Sequence, residues 1–256
     1  VFILDEFQNL EELAIPEVFQ ELGKQIMTQR RCLYVVTSSF PVAARKILSE
    51  KLSLLFGDFE IVEVEPFGLK PAQEFVDKHL NGIKIGEQVC HFFIDFTGGR
   101  PLYLKLICEE LMNLKVLHKQ TEVFFPLLME AIDKVLFNEW GVLNRNFDLT
   151  INQLCSGKGN NLLPLILGTL AQGKQKAKDL MSQITLKQSP LMQKINRLVM
   201  LDIVGHNGDF YYLKDKLFKY WIKHIFQKKR ESIDFNLEDQ RDSFRFELGQ
   251  AFQNFK

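Results

Sequence analysis

The first third of the chain alternates short apolar runs with a segment of helical periodicity. Residues 1–4 (VFIL) and 32–36 (CLYVV) are almost wholly apolar, and each run is followed at once by polar residues. Between them, apolar side chains recur at helical spacing from about Leu10 to Gln29. Such runs are typical of strands in a parallel sheet that is buried on both faces. We therefore predict an α/β fold built from βαβ units.

A third apolar run, Ile61–Val64, predicts a further strand. From Pro71 to about residue 146 the pattern is helical, with one interruption at residues 97–101 (TGGRP). That sequence indicates a turn followed by a proline at the first position of the next helix. We interpret residues 1–70 as part of an α/β core and residues 71–155 as an all-α lid.

The last hundred residues begin with a Gly- and Asn-rich segment, 156–161, which is the best candidate for a linker. Three helices are predicted after it, at residues 162–172, 176–184 and 189–201, the third with a capping serine and a proline at its start. Apolar strands flank Asn207-Gly208 and predict a hairpin. The order predicts a winged helix-turn-helix over residues 162–213, and residues 214–256 would form a helical extension.

Composition supports a globular protein. The 256 residues are 46% hydrophobic and 25% charged, which excludes a disordered tail, a collagen-like repeat and a coiled-coil rod. No run approaches the roughly 18 apolar residues of a membrane span, so no membrane partner is expected. The four cysteines lie far apart and indicate neither a zinc site nor a disulfide framework. A reduced, cytoplasmic compartment is the expectation.

Charge is distributed unevenly, although the chain is neutral as a whole. Residues 1–101 carry 10 Lys/Arg against 15 Asp/Glu, whereas residues 162–226 carry 10 against 4. A basic segment is a candidate for contact with phosphate backbones. On charge alone, a solvated basic face without a partner is an equal alternative.

The chemistry of the chain begins where its first apolar run ends, at Asp5-Glu6. Carboxylates at the carboxyl end of a buried strand lie at the edge where α/β sheets bind ligands. The Asp can hold Mg²⁺, usually through water, and the Glu can orient and polarise an attacking water. Four apolar residues followed by Asp-Glu thus describe a Walker B element. The alternative is that the two acids only cap the next helix.

Two further segments bear on phosphate chemistry. The second apolar run ends in Thr37-Ser38-Ser39, where a hydroxyl on the neighbouring strand would read a γ-phosphate. The alternative is capping of a turn by these hydroxyls. Arg100 stands at the start of a helix beyond the sheet, where it would either sense phosphate or pair with a nearby carboxylate.

In this order and spacing, the motifs resemble the archaeal-type ATPases of the STAND group, which are AAA+-like P-loop NTPases. The resemblance covers residues 1–226. The matching segments are Val1–Glu6, Leu33–Ser39, Leu55–Asp58, Ile61–Phe67, Thr97–Leu104, Tyr211–Asp215 and Phe218–Trp221. The resemblance implies ATP and Mg²⁺ as cofactors. It also implies these roles: Glu6 catalytic, Asp5 on the metal, and Thr37, Ser38 and Arg100 sensing the nucleotide.

The chain departs from the family pattern in two places. No G-x-x-x-x-G-K-[ST] motif occurs in it, so the phosphate cradle is missing. The motif would lie upstream of Val1, and we expect the chain to be the C-terminal part of a longer ATPase that is inactive by itself. Relatives usually show Gly-Arg where this chain has Gly57-Asp58, which leaves the role of that Arg unfilled.

The resemblance implies an ATP-dependent regulatory switch in which Arg100 docks the lid on ATP and so moves the winged helix. The competing hypothesis is a degenerate, non-enzymatic ATPase remnant that binds DNA or a protein partner, including a second copy of itself. For DNA the phosphate contacts would be Lys187, Lys194 and Arg197, on or beside the recognition helix. The alternative is a winged helix that only packs on the ATPase core.

The resemblance also predicts the sheet. In AAA+-like sheets the P-loop strand lies between the strand at Leu33–Val36 and the strand assigned here to Ile61–Val64. We therefore expect Leu33–Val36 to pair in parallel with Val1–Leu4. Its other edge would face an empty lane, with Ile61–Val64 two strand spacings away, roughly 9–10 Å.

Overall fold

Two short parallel strands open the chain. In the computed structural model β1 (Phe2–Leu4) pairs with β2 (Tyr34–Val36), Phe2 opposite Tyr34 and Leu4 opposite Val36. The connection between them contains a 3₁₀ helix, Phe7–Glu12, and the helix α1, Val18–Thr28. This is the βαβ arrangement that the sequence predicts, because parallel strands need a crossover segment between them.

The structure describes most of the chain. The residues outside the description are 14, 30, 120, 156–161, 174, 185–187, 232–235 and 256. The described chain divides into two compact units. Unit 1 comprises Val1–Val64 and Lys187–Gly205, and unit 2 comprises Glu65–Leu186 and His206–Lys256. The four-part division into core, lid, winged helix and extension remains a prediction, and the linker assigned to 156–161 lies outside the described residues.

In unit 1 a small apolar core covers one face of the two strands. It is built from the 3₁₀ helix, α1, α2 (Pro41–Glu50) and a second 3₁₀ turn, Ser53–Leu55. Its buried members are Phe7, Phe19, Ile47, Leu48, Leu52 and Leu55. Leu4 and Val36, which are opposite each other in the register, pack against it. The sheet therefore contributes one face to the core.

The opposite face of the strands is open, contrary to the expectation of burial on both faces. Ile3 and Val35 are paired in the register and are 68% and 38% exposed. Successive residues of a strand point to opposite faces, so these two side chains lie on the face away from Leu4 and Val36. The sequence analysis assigned these apolar runs to strands correctly, but it wrongly expected both faces of the strands to be buried.

The prediction of a strand at Ile61–Val64 is wrong. This segment has no strand structure, and among the described residues β2 pairs with β1 alone in its sheet. Val62 and Val64 are largely exposed. A strand exists only through hydrogen bonds to a neighbouring strand, and within the described part of the chain this apolar run has no such neighbour. Residues 61–64 therefore do not pair with β2. The expected strand two spacings away from β2 is not found either, because these residues form no strand.

Unit 2 begins with helices, as predicted for this part of the chain. They are α3 (Leu69–Leu80), α4 (Glu87–Thr97), α5 (Pro101–His118), α6 (Phe125–Phe137) and α7 (Val142–Cys155). Two parallel two-residue strands that the sequence analysis missed, β3 (Lys84–Ile85) and β4 (Glu122–Val123), pair with each other. α5 contacts both α3 and α6, and its Leu104, Ile107 and Leu111 are fully buried.

The later elements follow the predicted order with small shifts. They are α8 (Leu163–Gln172), β5 (Gln175–Lys176), α9 (Ala177–Ile184), α10 (Gln188–Met200), β6 (Val204–Asn207) and β7 (Phe210–Leu213). The strands form one sheet in the order β5-β7-β6, with β5 and β7 antiparallel. Gly173 ends α8, as predicted.

Two predicted helix boundaries need correction. The helix assigned to Leu10–Gln29 is two elements, because the chain leaves the 3₁₀ helix at Leu13 and re-enters helix only at Val18 after a left-handed Glu17. The helix α10 begins at Gln188, so Ser189 lies inside it and is not its cap. Element ends depend on the geometry of one or two residues and are the least certain part of a sequence-based assignment.

The C-terminal part of unit 2 is helical throughout its described residues. It comprises α11 (Lys216–Trp221), a π-helical segment (Ile222–Phe226), α12 (Gln227–Glu231) and α13 (Leu237–Gln253). Phe218 and Trp221 are buried and belong to the apolar core of unit 2. No helix among the described residues is long and apolar enough to cross a membrane.

Candidate functional site

The carboxyl ends of β1 and β2 meet, and they bring residues 5–6 beside residues 37–39. The backbone N–H of Thr37 donates to the carbonyl of Leu4 at 2.9 Å, and the N–H of Phe7 donates to the carbonyl of Thr37 at 3.0 Å. These bonds continue the parallel ladder one step beyond the strands. They place the side chains of both segments at the edge where parallel sheets bind ligands.

Asp5 and Thr37 are joined directly. The Thr37 hydroxyl donates to Asp5 Oδ1, and Thr37 Oγ1 accepts from the backbone N–H of Glu6 at 3.4 Å. Asp5 is exposed, so its carboxylate remains open to solvent. Thr37 therefore orients the acid that the sequence assigns to the metal.

Glu6 is held by three donors. Its Oε2 accepts from the backbone N–H of Ser39 at 3.0 Å and from the Gln8 amide at 2.5 Å, while its Oε1 accepts from the Ser39 hydroxyl. The backbone of Glu6 is left-handed, with φ 49° and ψ 48°. This conformation is uncommon for a residue other than glycine, and such strain clusters at functional sites.

These contacts affect the ionisation of Glu6. Partial burial raises the pKa of its carboxyl, but the hydrogen bonds from the Ser39 N–H, the Ser39 hydroxyl and Gln8 together bring the pKa below its ordinary value. Donors that bond to a carboxylate stabilise its charged form. Glu6 is therefore an anion at neutral pH, the form that can accept a hydrogen bond from water.

Ser38 and Ser39 differ in what they reach. Ser38 Oγ accepts from the N–H of Phe40 at 3.0 Å and so bonds within its own turn. Ser39 contacts Glu6 instead. Alternation along an extended segment puts residues 37 and 39 on one side and residue 38 on the other. The structure thus brings Thr37 to the acidic pair, and Ser38 turns away from it.

The acidic pair fits a nucleotide-bound Mg²⁺. Mg²⁺ takes oxygen ligands, keeps several waters and is commonly held by one or two carboxylates together with substrate phosphates. The exposed carboxylate of Asp5 suits that mode. Among the described residues no group of three or more His, Cys, Asp or Glu side chains could hold a metal ion.

Arg100 belongs to unit 2 and already has a partner. It is the N-cap residue of α5, ahead of Pro101, as the sequence predicts. Its Nε lies 3.4 Å from Asp215 Oδ2, and its guanidinium carbon lies 5.7 Å from the centre of the Tyr103 ring. The carboxylate pairing that the sequence left open as an alternative is therefore present.

The three basic residues proposed for DNA are placed as follows. Lys187 lies outside the described residues. Lys194 and Arg197 are on α10, where Lys194 is half-buried and Arg197 is exposed. The buried face of this helix consists of Leu191, Ile195 and Leu198. Arg197 thus points away from the apolar side of its helix.

Sequence reasoning missed four residues that contact the predicted ones. Ser39 and Gln8 bind Glu6, and Asp215 and Tyr103 contact Arg100. Strand alternation after Val36 would have favoured Ser39 over Ser38. Asp215 lies in the matching segment Tyr211–Asp215, but no sequence signal pairs it with Arg100, which is 115 positions earlier and approaches it only in the folded chain.

The known proteins similar to this chain are found by structure. No family model matches it, and no curated protein sequence matches it. Among solved structures, the Walker-type ATPase PABY2304 of Pyrococcus abyssi matches with a TM-score of 0.62 and 14% identity. The match covers 86% of this chain and 62% of that chain. The RuvB Holliday junction branch migration motor of Thermotoga maritima matches with a TM-score of 0.41 and 14% identity, over 86% and 69% of the two chains.

The match to the Walker-type ATPase shows the fold of this chain. Over the matched region the chain shares the fold of that ATPase, and it is mostly helical, with few strands and a parallel pair at its start. The chain spans 62% of the length of that ATPase.

Proposed function

We propose that this chain supplies the Walker B and lid parts of a Mg²⁺-dependent ATPase that acts as a regulatory switch. The observation that carries the proposal is the juxtaposition of Asp5 and Glu6, at the end of β1, with Thr37 at the end of the parallel strand β2. Paired acids beside a hydroxyl at this edge suit the hydrolysis of a phosphoanhydride.

Each residue of this cluster has a proposed part. Asp5, oriented by Thr37, would bind the metal of Mg-ATP. Glu6 would orient and polarise the attacking water, and Ser39 and Gln8 hold its carboxylate in place. Thr37 would in addition contact the γ-phosphate. When bound, Mg²⁺ supplies neutralisation of the phosphate charge.

The proposal assigns ATP hydrolysis to the complete protein. The 256 residues contain no G-x-x-x-x-G-K-[ST] motif to cradle the phosphates, and the proposal assigns that element to another part of the protein. The chain by itself is expected not to release phosphate from ATP. Arg100 is proposed as the second nucleotide-sensing residue, and this role rests on the sequence resemblance.

A winged helix-turn-helix is proposed as the output element. The order α8-β5-α9-α10-β6-β7, with three strands in the order β5-β7-β6, supports it. The γ-phosphate would order the contacts of Arg100, and hydrolysis would release them. The switch would then act by moving the hairpin and the helices next to it.

The substitution Glu6→Gln in the complete protein tests the ATPase. It should leave ATP binding intact and lower the rate of phosphate release at least a hundredfold, because it spares Asp5 and removes the group that polarises water. Phosphate release and equilibrium binding of ATP are measured side by side. The matched control is Glu12→Gln, which replaces an exposed acid at the end of the 3₁₀ helix that follows Glu6 and should hydrolyse ATP at the parent rate.

Two results would contradict the proposal. If Glu6→Gln hydrolyses ATP as the parent does, the Glu6 carboxylate only joins the two strand ends through its bonds to Ser39 and Gln8 and takes no part in hydrolysis. If the complete protein neither binds nor hydrolyses ATP, the chain is a non-enzymatic remnant of the fold.

Binding of DNA through α10 is a second candidate function. The specific observation is the exposure of Arg197 on the side of α10 opposite its buried leucines and isoleucine. An exposed cation on a helix of this kind can neutralise a phosphate of the DNA backbone. A protein partner or self-association at the same surface is the alternative.

Salt-dependent binding tests the DNA hypothesis. Arg197→Ala should weaken binding of duplex DNA equally for different sequences and reduce the slope of log K against log salt by about 1. The control is Lys105→Ala, which removes an exposed lysine of α5. No detectable binding of the parent chain to duplex DNA at low salt would reject DNA as the partner.

A further inference from the structure

Asp215 stands at a junction of three elements in unit 2. It is the N-cap residue of α11 and comes two positions after the end of β7. Its Oδ1 accepts from the backbone N–H of Phe218 at 3.0 Å, and its Oδ2 accepts from the Tyr103 hydroxyl at 2.6 Å. The same Oδ2 lies 3.4 Å from Arg100 Nε. One carboxylate thus connects the start of α5 with the start of α11.

The partners of Asp215 differ in how firmly they are held. Tyr103 is buried, and burial together with the Asp215 charge raises the pKa of Tyr103, so its hydroxyl stays a donor. The Phe218 N–H is fixed by the helix. The Arg100 side chain is 44% exposed, whereas that of Asp215 is only 15% exposed. Arg100 can therefore leave the carboxylate for another anion, whereas the two donors Tyr103 and Phe218 stay beside Asp215.

The backbone that carries Arg100 is fixed by its neighbours. Gly98 and Gly99 have φ angles of 62° and 65°, and the carbonyl of Gly99 accepts from the N–H of Phe67 at 2.9 Å. A side chain on Gly99 would collide with the carbonyl of Phe67. The position of Arg100 is set by this turn, and only its side chain is free to change partner.

We propose that Asp215 is a positioning residue that holds Arg100 when no nucleotide is bound and competes with a nucleotide phosphate for it. This inference rests on the proposed nucleotide-sensing role of Arg100. A nucleoside triphosphate carries several charged oxygens and can bind a guanidinium through two bonds at once, so it displaces a single carboxylate. The departure of Arg100 then affects the first turn of α11, because the same Asp215 carboxylate caps that helix.

The effect on α11 follows from charge. With Arg100 in place, the nearly buried carboxylate is compensated and bonds Phe218. When Arg100 leaves, the uncompensated charge is drawn toward water, which weakens its bond to the first turn of α11. Asn at position 215 would keep the capping oxygen without the charge, since Asn and Asp are comparable N-caps.

Hydrogen exchange at the Phe218 amide, measured without nucleotide, tests whether Arg100 affects the start of α11 through Asp215. Arg100→Ala should accelerate exchange of that amide about fivefold, whereas the control Lys105→Ala, on the same helix, should leave it unchanged. In an Asp215→Asn background, Arg100→Ala should add no acceleration, because the cap no longer depends on charge. Equal acceleration in both backgrounds, or none in either, would overturn the proposal.

Nucleotide binding by the complete protein tests the competition. Asp215→Asn should tighten ATP binding about fivefold and leave ADP binding unchanged, because only the triphosphate draws Arg100 from the carboxylate. The matched control is Asp95→Asn, which removes the neighbouring 2.6 Å ion pair with Lys216. Unchanged ATP affinity in Asp215→Asn, or equal changes for ATP and ADP, would overturn the proposal.

Two outcomes separate the nucleotide-sensing role of Arg100 from the competition by Asp215. If Arg100→Ala weakens ATP binding but Asp215→Asn changes nothing, the nucleotide-sensing role stands and the competition by Asp215 is rejected. If the complete protein binds no nucleotide, the proposed function is rejected and the role of Asp215 in nucleotide sensing is rejected with it.

Discussion

Single residues with left-handed backbone conformations set the direction of the chain at both sets of contacts described above. Glu6 turns the chain from β1 into the 3₁₀ helix, and Gly98 and Gly99 turn it from α4 into α5. The two glycines look equivalent in the sequence. Their surroundings differ, since a side chain on Gly98 would meet no atom within 4 Å, whereas one on Gly99 would strike Phe67.

Replacing each glycine in turn separates backbone strain from collision. Gly98→Ala should lower the free energy of unfolding by about 1 kcal/mol, because a residue with a Cβ is less stable in a left-handed conformation. Gly99→Ala should cost roughly 1–3 kcal/mol more, because Phe67 must also move. Denaturant unfolding of the chain measures both. An equal decrease in the free energy of unfolding for the two variants would show that Phe67 moves aside at no cost. In that case the turn does not fix the position of Arg100.

Among the elements, α13 shows how a charged helix is held on an apolar core. It contacts α6, and its Phe244 and Leu248 are fully buried. Asp133 of α6 is buried and accepts from Arg245 of α13, with Nε at 3.1 Å. Burial raises the pKa of Asp133, although Arg245 opposes the shift. The contact thus joins a buried carboxylate of α6 to the charged face of α13.

The π-helical segment makes a second contact with α13, through His224 and Glu247. His224 is 2% exposed, and its Nε2 lies 3.4 Å from Glu247 Oε2. Burial lowers the pKa of His224 below its ordinary 6.5, even though Glu247 acts in the opposite direction. The unfolded chain therefore takes up the proton first. The free energy of unfolding should fall as the pH drops from about 6.5 through the lower pKa of the folded state.

Removing the imidazole tests this assignment. In His224→Gln the free energy of unfolding should lose part of its dependence on pH between 7 and 5, measured by denaturant titration at each pH. His206→Gln, which replaces an exposed histidine of β6, should keep the parent slope. A parent slope retained in His224→Gln would assign the pH dependence to other groups.

At the scale of the whole molecule, the chain forms two compact units whose chemistry differs. Unit 1 carries the acidic pair and the hydroxyls at the end of a parallel sheet, and unit 2 carries Arg100 with its partner Asp215. The exposed face of Ile3 and Val35 belongs to unit 1. Strands that are apolar on both sides normally have helices on both faces, and here one face alone is covered.

The sequence by itself determined the elements that depend on neighbouring residues. Apolar runs identified β1 and β2, Pro101 marked the start of α5, and Gly173 marked the end of α8. The order of several motifs along residues 1–226 resembled an ATPase family, and from that resemblance came the expectation of phosphate chemistry at Asp5, Glu6 and Thr37. These features are legible because periodicity, capping and turn formation act over a few positions of the chain.

Tertiary structure alone decided which of these residues meet. It selected Ser39 over Ser38 as the partner of Glu6, and it brought Asp215 to Arg100 across more than a hundred positions. It also left Ile61–Val64 outside any sheet and one face of β1 and β2 open. The physical reason is that strand pairing, burial and ion pairing depend on atoms from distant parts of the chain, which local patterns of residues do not specify.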